Sequence, residues 1–260
     1  MNPSGLRLTT FAAPLRFYAL TGALLPWLWG GAALLGLVGL YLAFAVAPTD
    51  AVQGEAYRIL YLHVPAAWLS MLLYLAMAFW AALGWVLRVR MAAVLARAIA
   101  PTGALFTALS LVSGSLWGQP TWGTWWVWDA RLTSSLILLF LYLGYLLLIA
   151  AIEDTQRADA AGALLALVGA VNVPIIYFSV KWWNTLHQGA SVSLTKAPSM
   201  AATMLAGMLV MAFAAWAYTL AVVLWRVRPM ILERERHAEG GGGVLEREGV
   251  EAPAETAVVF

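Results

Sequence analysis

The chain has 260 residues, 63% of them hydrophobic and only 11% charged, with a mean hydropathy of +0.81, against roughly 25% charged for an ordinary soluble domain, so a soluble globular class is excluded. A net charge of +2 and a pI near 9.0 do not point to nucleic acid, because the basic residues are scattered among apolar runs and form no stripe. The absence of cysteine excludes a disulfide framework, iron–sulfur ligation, a Cys-containing zinc site and a thioether-linked heme.

A charged side chain at the bilayer centre costs roughly 2.5–3.5 kcal/mol on insertion scales, so the charges mark the loops. In chain order the charge-free stretches run Phe17 to Thr49, Ile59 to Leu87, Ala98 to Trp128, Leu132 to Ile152, Ala160 to Val180 and Ala197 to Trp225. Each supplies the ~20 residues that cross ~30 Å of hydrocarbon as a helix. These Leu- and Ala-rich runs lack the alternation of a membrane β-barrel, and a helix alone satisfies its own backbone in lipid. The expected fold is an all-α polytopic bundle of six transmembrane helices, the membrane domain covering 1–228.

Six spans place both termini and the loops after spans two and four on one side. That side holds eleven of the fifteen Lys and Arg, while Arg58, Arg131, Lys181 and Lys196 fall opposite. The positive-inside rule makes the termini cytoplasmic. No cleavable signal is expected, the first span serving as its own insertion signal. From 229 to 260 the charged, Gly-rich composition predicts a disordered cytoplasmic tail.

Span parity brings three unusual outer segments together: YLHVPAAW at 61–68, WGQPTWGTWWVWDARLTS at 117–134 and KWWNTLHQG at 181–189. The middle one holds Trp117, Trp122, Trp125, Trp126 and Trp128, five of 14 tryptophans. An interfacial aromatic belt accounts for Trp27, Trp29, Trp85 or Trp225, but it needs only one or two rings per loop. Pro120 and Gly123 bracket a turn, after which Trp122, Trp125, Trp126 and Asp129 fall at i, i+3, i+4 and i+7. A short surface helix there sets three indoles on one face, a platform for a large flat apolar ligand.

Asp129 suits either an N-cap of span four or a place in the ligand site. Arg131 does not face it on a helix, so it is free to meet an anionic group or to snorkel toward head groups. His63 lies 25 residues (88 − 63) before Arg88 at the inner end of span two. That is ~37 Å of helix, which puts His63 at the outer interface. With Pro65 in a first helical turn, His63 sits near a helix N-terminus whose partial positive charge keeps the ring neutral, as a metal ligand must be. His187 is in the third outer loop, four residues after Trp183, and these are the two histidines outside the tail. Two neutral imidazoles, an indole platform and the cations Arg58, Arg131 and Lys181 match heme: axial ligands, stacking surface and propionate partners. Zinc wants three or four protein ligands and fits worse. A transporter path or a quinol-oxidising cytochrome b is the rival class. The first advertises itself by intramembrane charges, which these spans lack, Asn172 and Pro174 in span five offering only a weak kink or polar contact. Gly31, Gly36 and Gly39 in span one allow close helix packing.

WGTWWVWDARLTS resembles the tryptophan-rich signature of heme-handling membrane proteins. With YLHVPAAW and WWNTLHQG beside it, the chain is similar to the heme exporter protein C family of cytochrome c maturation over roughly residues 15–228. The resemblance implies that His63 and His187 are the axial ligands of heme b held non-covalently, and that Trp122, Trp125, Trp126, Trp128 and Asp129 belong to the heme-presenting motif. It further implies a bacterial inner-membrane protein that is not an enzyme. Such a protein holds heme at the periplasmic face and loads it onto a membrane-anchored heme chaperone, maturation protein E. The implied partners are the ABC transporter subunits, maturation proteins A and B, and the small membrane protein D. No nucleotide-binding loop of the G-x-x-x-x-G-K-[ST] type occurs here, in keeping with an ATPase on another chain.

Overall fold

The computed structural model describes residues 14–187, 192 and 197–238. Those residues form seven helices and no named strand: α1 (Pro14–Tyr41), α2 (Leu60–Val86), α3 (Arg90–Trp122), α4 (Ala130–Ala151), α5 (Thr155–Ala170), α6 (Asn172–Trp182) and α7 (Ala202–Ala238). A π-helical turn, Leu42–Val46, extends α1, and a 3₁₀ turn, Glu55–Ile59, leads into α2. Among the described residues, six helical runs are long and apolar enough to cross a membrane: Pro14–Val46, Glu55–Val86, Met91–Trp122, Ala130–Ala151, Thr155–Trp182 and Ala202–Arg234.

The fifth run comprises α5 and α6, which are separated at Val171. Pro174 has no N–H to return to the carbonyl of residue 170, so the ladder opens there. The buried Asn172 amide turns outward from the break, and its Nδ2 donates to the Ser134 carbonyl of α4 at 2.8 Å. The kink and the polar contact are therefore both present.

At the bundle centre α2 packs against α3, α5 and α7, with α4 bridging α3 and α5. Tyr74 and Tyr142 meet edge to face, ring centroids 4.9 Å apart, and the Tyr142 hydroxyl donates to the Ser70 carbonyl at 2.9 Å. By contrast α1 joins the bundle through α7. Gly39 lies against Met211, but Gly31 and Gly36 have no side-chain neighbour within 4 Å of where a Cβ would stand. Of these three glycines, Gly39 alone thus serves close packing. Near the other end of α1, Arg228 Nη1 donates to the Tyr18 carbonyl at 2.6 Å, its guanidinium 3.7 Å from the Tyr18 ring centroid.

Two boundaries differ from those expected from charge. The third span begins at Met91 and takes in Arg97, because Arg97 Nε reaches Asp159 Oδ1 of α5 at 2.7 Å. Arg234 of α7 closes on the other oxygen of the same carboxylate at 3.1 Å. A domain boundary at 228 falls inside α7, which runs on to Ala238 with Ile231 and Leu232 buried in the bundle. Pro229 does not end it, since that end of the helix is held by packing and by the Asp159 pair. The remainder of the expected tail, 239–260, lies outside the described residues.

Candidate functional site

At the end of the bundle opposite the Asp159 cluster, a cavity of ≈ 170 Å³ opens among α2, α3, α4 and the segment after α6. His63, Trp117, Trp122, Arg131 and His187 all line it, so side chains from the three unusual loop segments do converge.

His63 is the fourth residue of α2. Pro65 falls in the second turn rather than the first, because the 3₁₀ turn Glu55–Ile59 starts the helical run five residues earlier. His63 Nδ1 lies 3.1 Å from Ser113 Oγ of α3, and the Trp117 indole stands edge-on to the imidazole, centroids 5.6 Å apart at 75°. Trp117 Nε1 donates to Gln53 Oε1 at 2.7 Å. Gln53 is in turn held by a loop in which Asp50 Oδ1 accepts from the backbone N–H groups of Val52 and Gln53 at 2.9 and 2.8 Å.

His187 packs on Trp122, centroids 5.0 Å apart, and its Nδ1 sits 3.5 Å from Asp129 Oδ2. That distance is longer than a made hydrogen bond, and both atoms are buried without a full partner among the described residues. Burial pushes the His187 pKa below its ordinary value, the Asp129 carboxylate opposing the shift and the Arg131 cation adding to it. The ring is neutral at pH 7 and able to ligate a metal. Of the two roles expected of Asp129 the N-cap is observed: Oδ1 accepts from Leu132 N at 2.8 Å at the start of α4, while Oδ2 turns to His187.

Arg131 lines the cavity and has one hydrogen bond among the described residues, Nη1 to the Ile176 carbonyl at 3.1 Å. The rest of its fork is left for an anionic group. Arg58 is committed elsewhere: its guanidinium pairs with Glu55 and donates to the carbonyls of Ala43 and Ala47, satisfying the end of α1. It does not line the cavity. Lys181 is exposed, its ammonium over the Phe178 ring, and Lys196 lies outside the described residues.

The expected surface helix bearing three indoles does not form. Pro120 belongs to the last turn of α3, and Gly123, at φ +75°, caps that helix with its N–H on the Gln119 carbonyl at 3.0 Å. Asp129 already starts α4, so 124–128 form an irregular connection that bends at Trp125, tied to α3 by Ser115 Oγ donating to the Trp125 carbonyl at 2.6 Å. Trp125 is 58% exposed and Trp128 75%, whereas Trp126 tucks in with a buried, unpartnered Nε1 and meets Trp128 edge to face. Trp183 is also exposed and off the cavity. The walls the sequence reading missed are Gln53, Trp68, Gly114, Met200 and Met208. Gly114, with its neighbour Ser113, was recoverable by counting back along α3 at helical spacing from Trp117. Trp68 ends the YLHVPAAW segment, whereas Gln53, Met200 and Met208 carry no local signal.

The residues present fit a heme. Two imidazoles share an aromatic-walled cavity with one under-used guanidinium, and orphaned polar atoms stand behind one imidazole. Among the described residues no three His, Cys, Asp or Glu side chains converge, so the donor set is the two histidines. At ≈ 170 Å³ the cavity is below the ~300–1,000 Å³ of a pocket that encloses a drug-sized ligand, so it has room for only part of a macrocycle.

Fold and site together define a polytopic helical membrane protein with a two-histidine, tryptophan-walled cavity at one end of its bundle. The family model described as heme exporter protein C matches residues 7–240. Heme exporter protein C of Escherichia coli strain K12 is 52% identical over 180 residues, 69% of this chain and 74% of that one. The protein of the same name from Bradyrhizobium diazoefficiens is 49% identical over 230 residues, 88% of this chain and 87% of that one. A putative cytochrome c biosynthesis ccmC-like mitochondrial protein of Marchantia polymorpha is 49% identical over 156 residues, 60% of this chain and 66% of its own length. The chain belongs to the heme exporter protein C family, and its work is heme handling in cytochrome c maturation.

Proposed function

We propose that this protein holds heme b, non-covalently and edge-exposed, between His63 and His187, and surrenders it to a membrane-anchored heme chaperone, maturation protein E. The observation that carries this reading is the meeting of the two imidazoles, from distant parts of the chain, in one cavity walled by Trp117 and Trp122. Neutral rings supply the axial nitrogens, indoles supply the flat contact surface, and Arg131 takes a propionate. Trp125 and Trp128, exposed in the segment that links α3 to α4, are offered to the receiving partner. A cargo gripped at one edge leaves without unfolding a core.

The bias of Lys and Arg supports a periplasmic position for this end of the bundle, in the bacterial inner membrane, with the termini in the cytoplasm. Energy for release comes from ATPase subunits on other chains, maturation proteins A and B, with the small protein D alongside. The test is the visible absorption spectrum of the detergent-purified chain, co-expressed with the chaperone, beside His63→Ala and His187→Ala. A bis-histidine spectrum lost or altered in both variants is expected. Unchanged spectra and unchanged chaperone loading in both would overturn the ligand assignment.

A further inference from the structure

Ser113 is 3% exposed and sits on the face of α3 that meets His63. Its hydroxyl has one proton to give. Oγ lies 2.5 Å from the Leu109 carbonyl and 3.3 Å from the Ser110 carbonyl, and carbonyls only accept, so that proton is committed to the helix's own backbone. The remaining contact of Oγ, with His63 Nδ1 at 3.1 Å, then requires Nδ1 to be the donor. A neutral imidazole carries a single N–H, so Nε2 holds the free lone pair, and no hydrogen bond to it is made among the described residues.

The neighbouring positions hold the ring plane. A Cβ at Gly114 would stand 3.0 Å from His63 Cε1, so glycine is what lets the imidazole lie this close to α3. Trp117, one turn on, blocks the ring from the side and is itself pinned by Gln53. Hydroxyl, glycine and indole on one helix face form a slot for a single orientation of one tautomer.

We infer that Ser113 is a positioning residue for heme: through Nδ1–H it fixes both the tautomer and the ring plane of His63, so that Nε2 is the nitrogen presented to the iron. This rests on the reading of His63 as an axial ligand. An outer partner of a metal-bound histidine sets ligand orientation, and its loss typically costs ~10–100-fold in affinity.

The full-length chain in detergent is titrated with hemin, and the ferric complex is read by absorption and by electron paramagnetic resonance, whose low-spin g anisotropy follows the angle between the two imidazole planes. Ser113→Ala is expected to weaken hemin retention ~10–100-fold and to shift the g values. Ser113→Thr restores both, since threonine in this helix makes the same backbone bond, as Thr107 Oγ1 does to the Gly103 carbonyl at 2.7 Å. Should the alanine variant not fold, Ser113→Cys, similar in shape but a weak acceptor, carries the same comparison. Wild-type g values and affinity in Ser113→Ala, with both lost in His63→Ala, would overturn the role of Ser113 and leave the ligand reading intact. Failure of threonine to rescue would also overturn it, by reducing the effect to packing. A wild-type signal from His63→Ala would remove the ligand reading, and the inference with it.

Discussion

Asp129 divides its two oxygens between two tasks, which separate substitutions isolate. Asp129→Asn retains a side-chain oxygen for the Leu132 N–H but loses the negative charge beside His187. Stability should change by a few tenths of a kcal/mol, since Asn and Asp are comparable N-caps, while hemin retention falls. Asp129→Ala adds the loss of the cap, about 1 kcal/mol. Thermal unfolding in detergent and hemin titration of the two variants separate cap from ligand support. His187 also predicts a pH dependence. Its folded pKa lies below the ordinary imidazole value, so as pH falls the unfolded chain takes up the proton first. Stability from this group is therefore full above the ordinary value of about 6.5 and declines as pH falls through it toward the folded value. Bis-histidine coordination should persist from pH 7 through that ordinary range, and the unfolding temperature of His187→Ala should depend less on pH across it. A spectrum lost at the ordinary imidazole pKa would contradict the burial argument.

Helix ends decide where the tryptophans go. Gly123 at φ +75° stops α3 one residue after Trp122, which keeps that indole on the cavity and releases Trp125 and Trp128 to the surface. Gly123→Ala forces a side chain into the left-handed region at a cost of about 1 kcal/mol. The expected outcome is a lower unfolding temperature together with weaker hemin retention, because the connecting segment and the Asp129 cap that follow are displaced. Earlier in α3, Gly114→Val should reduce hemin retention more than Gly114→Ala, since the added bulk meets His63 directly. The apolar runs and their number were legible because a charge in hydrocarbon is expensive over any sequence context. The helix termini were not. Trp122, Trp125, Trp126 and Asp129 have helical spacing, yet a glycine C-cap at 123 and an N-cap at 129 end one helix and start the next between them.

Across the whole molecule the two ends of the bundle do different work. Arg97, Asp159 and Arg234 tie α3, α5 and α7 together at the end far from the histidines. Asp159→Ala leaves two partly buried cations without that carboxylate, and it should cost about 1.5–3 kcal/mol, toward the lower figure because water reaches the cluster. Hemin binding by the surviving folded protein should be unchanged, which thermal unfolding and titration check side by side. The sequence by itself determined the membrane class, the six spans, the parity that brings His63, His187 and the tryptophan-rich segment to one end, and the family. These follow from composition and from the long period of a membrane span, which no packing detail can override. Only the tertiary structure decided which cations and indoles serve the cavity. Arg58 and Arg131 look alike in the sequence, but one is spent on the carbonyls that end α1 and the other keeps most of its fork for the cavity. Gln53 gains its place only through its contact with Trp117 of α3, because the partner that satisfies a polar side chain is a neighbour in space and not along the chain.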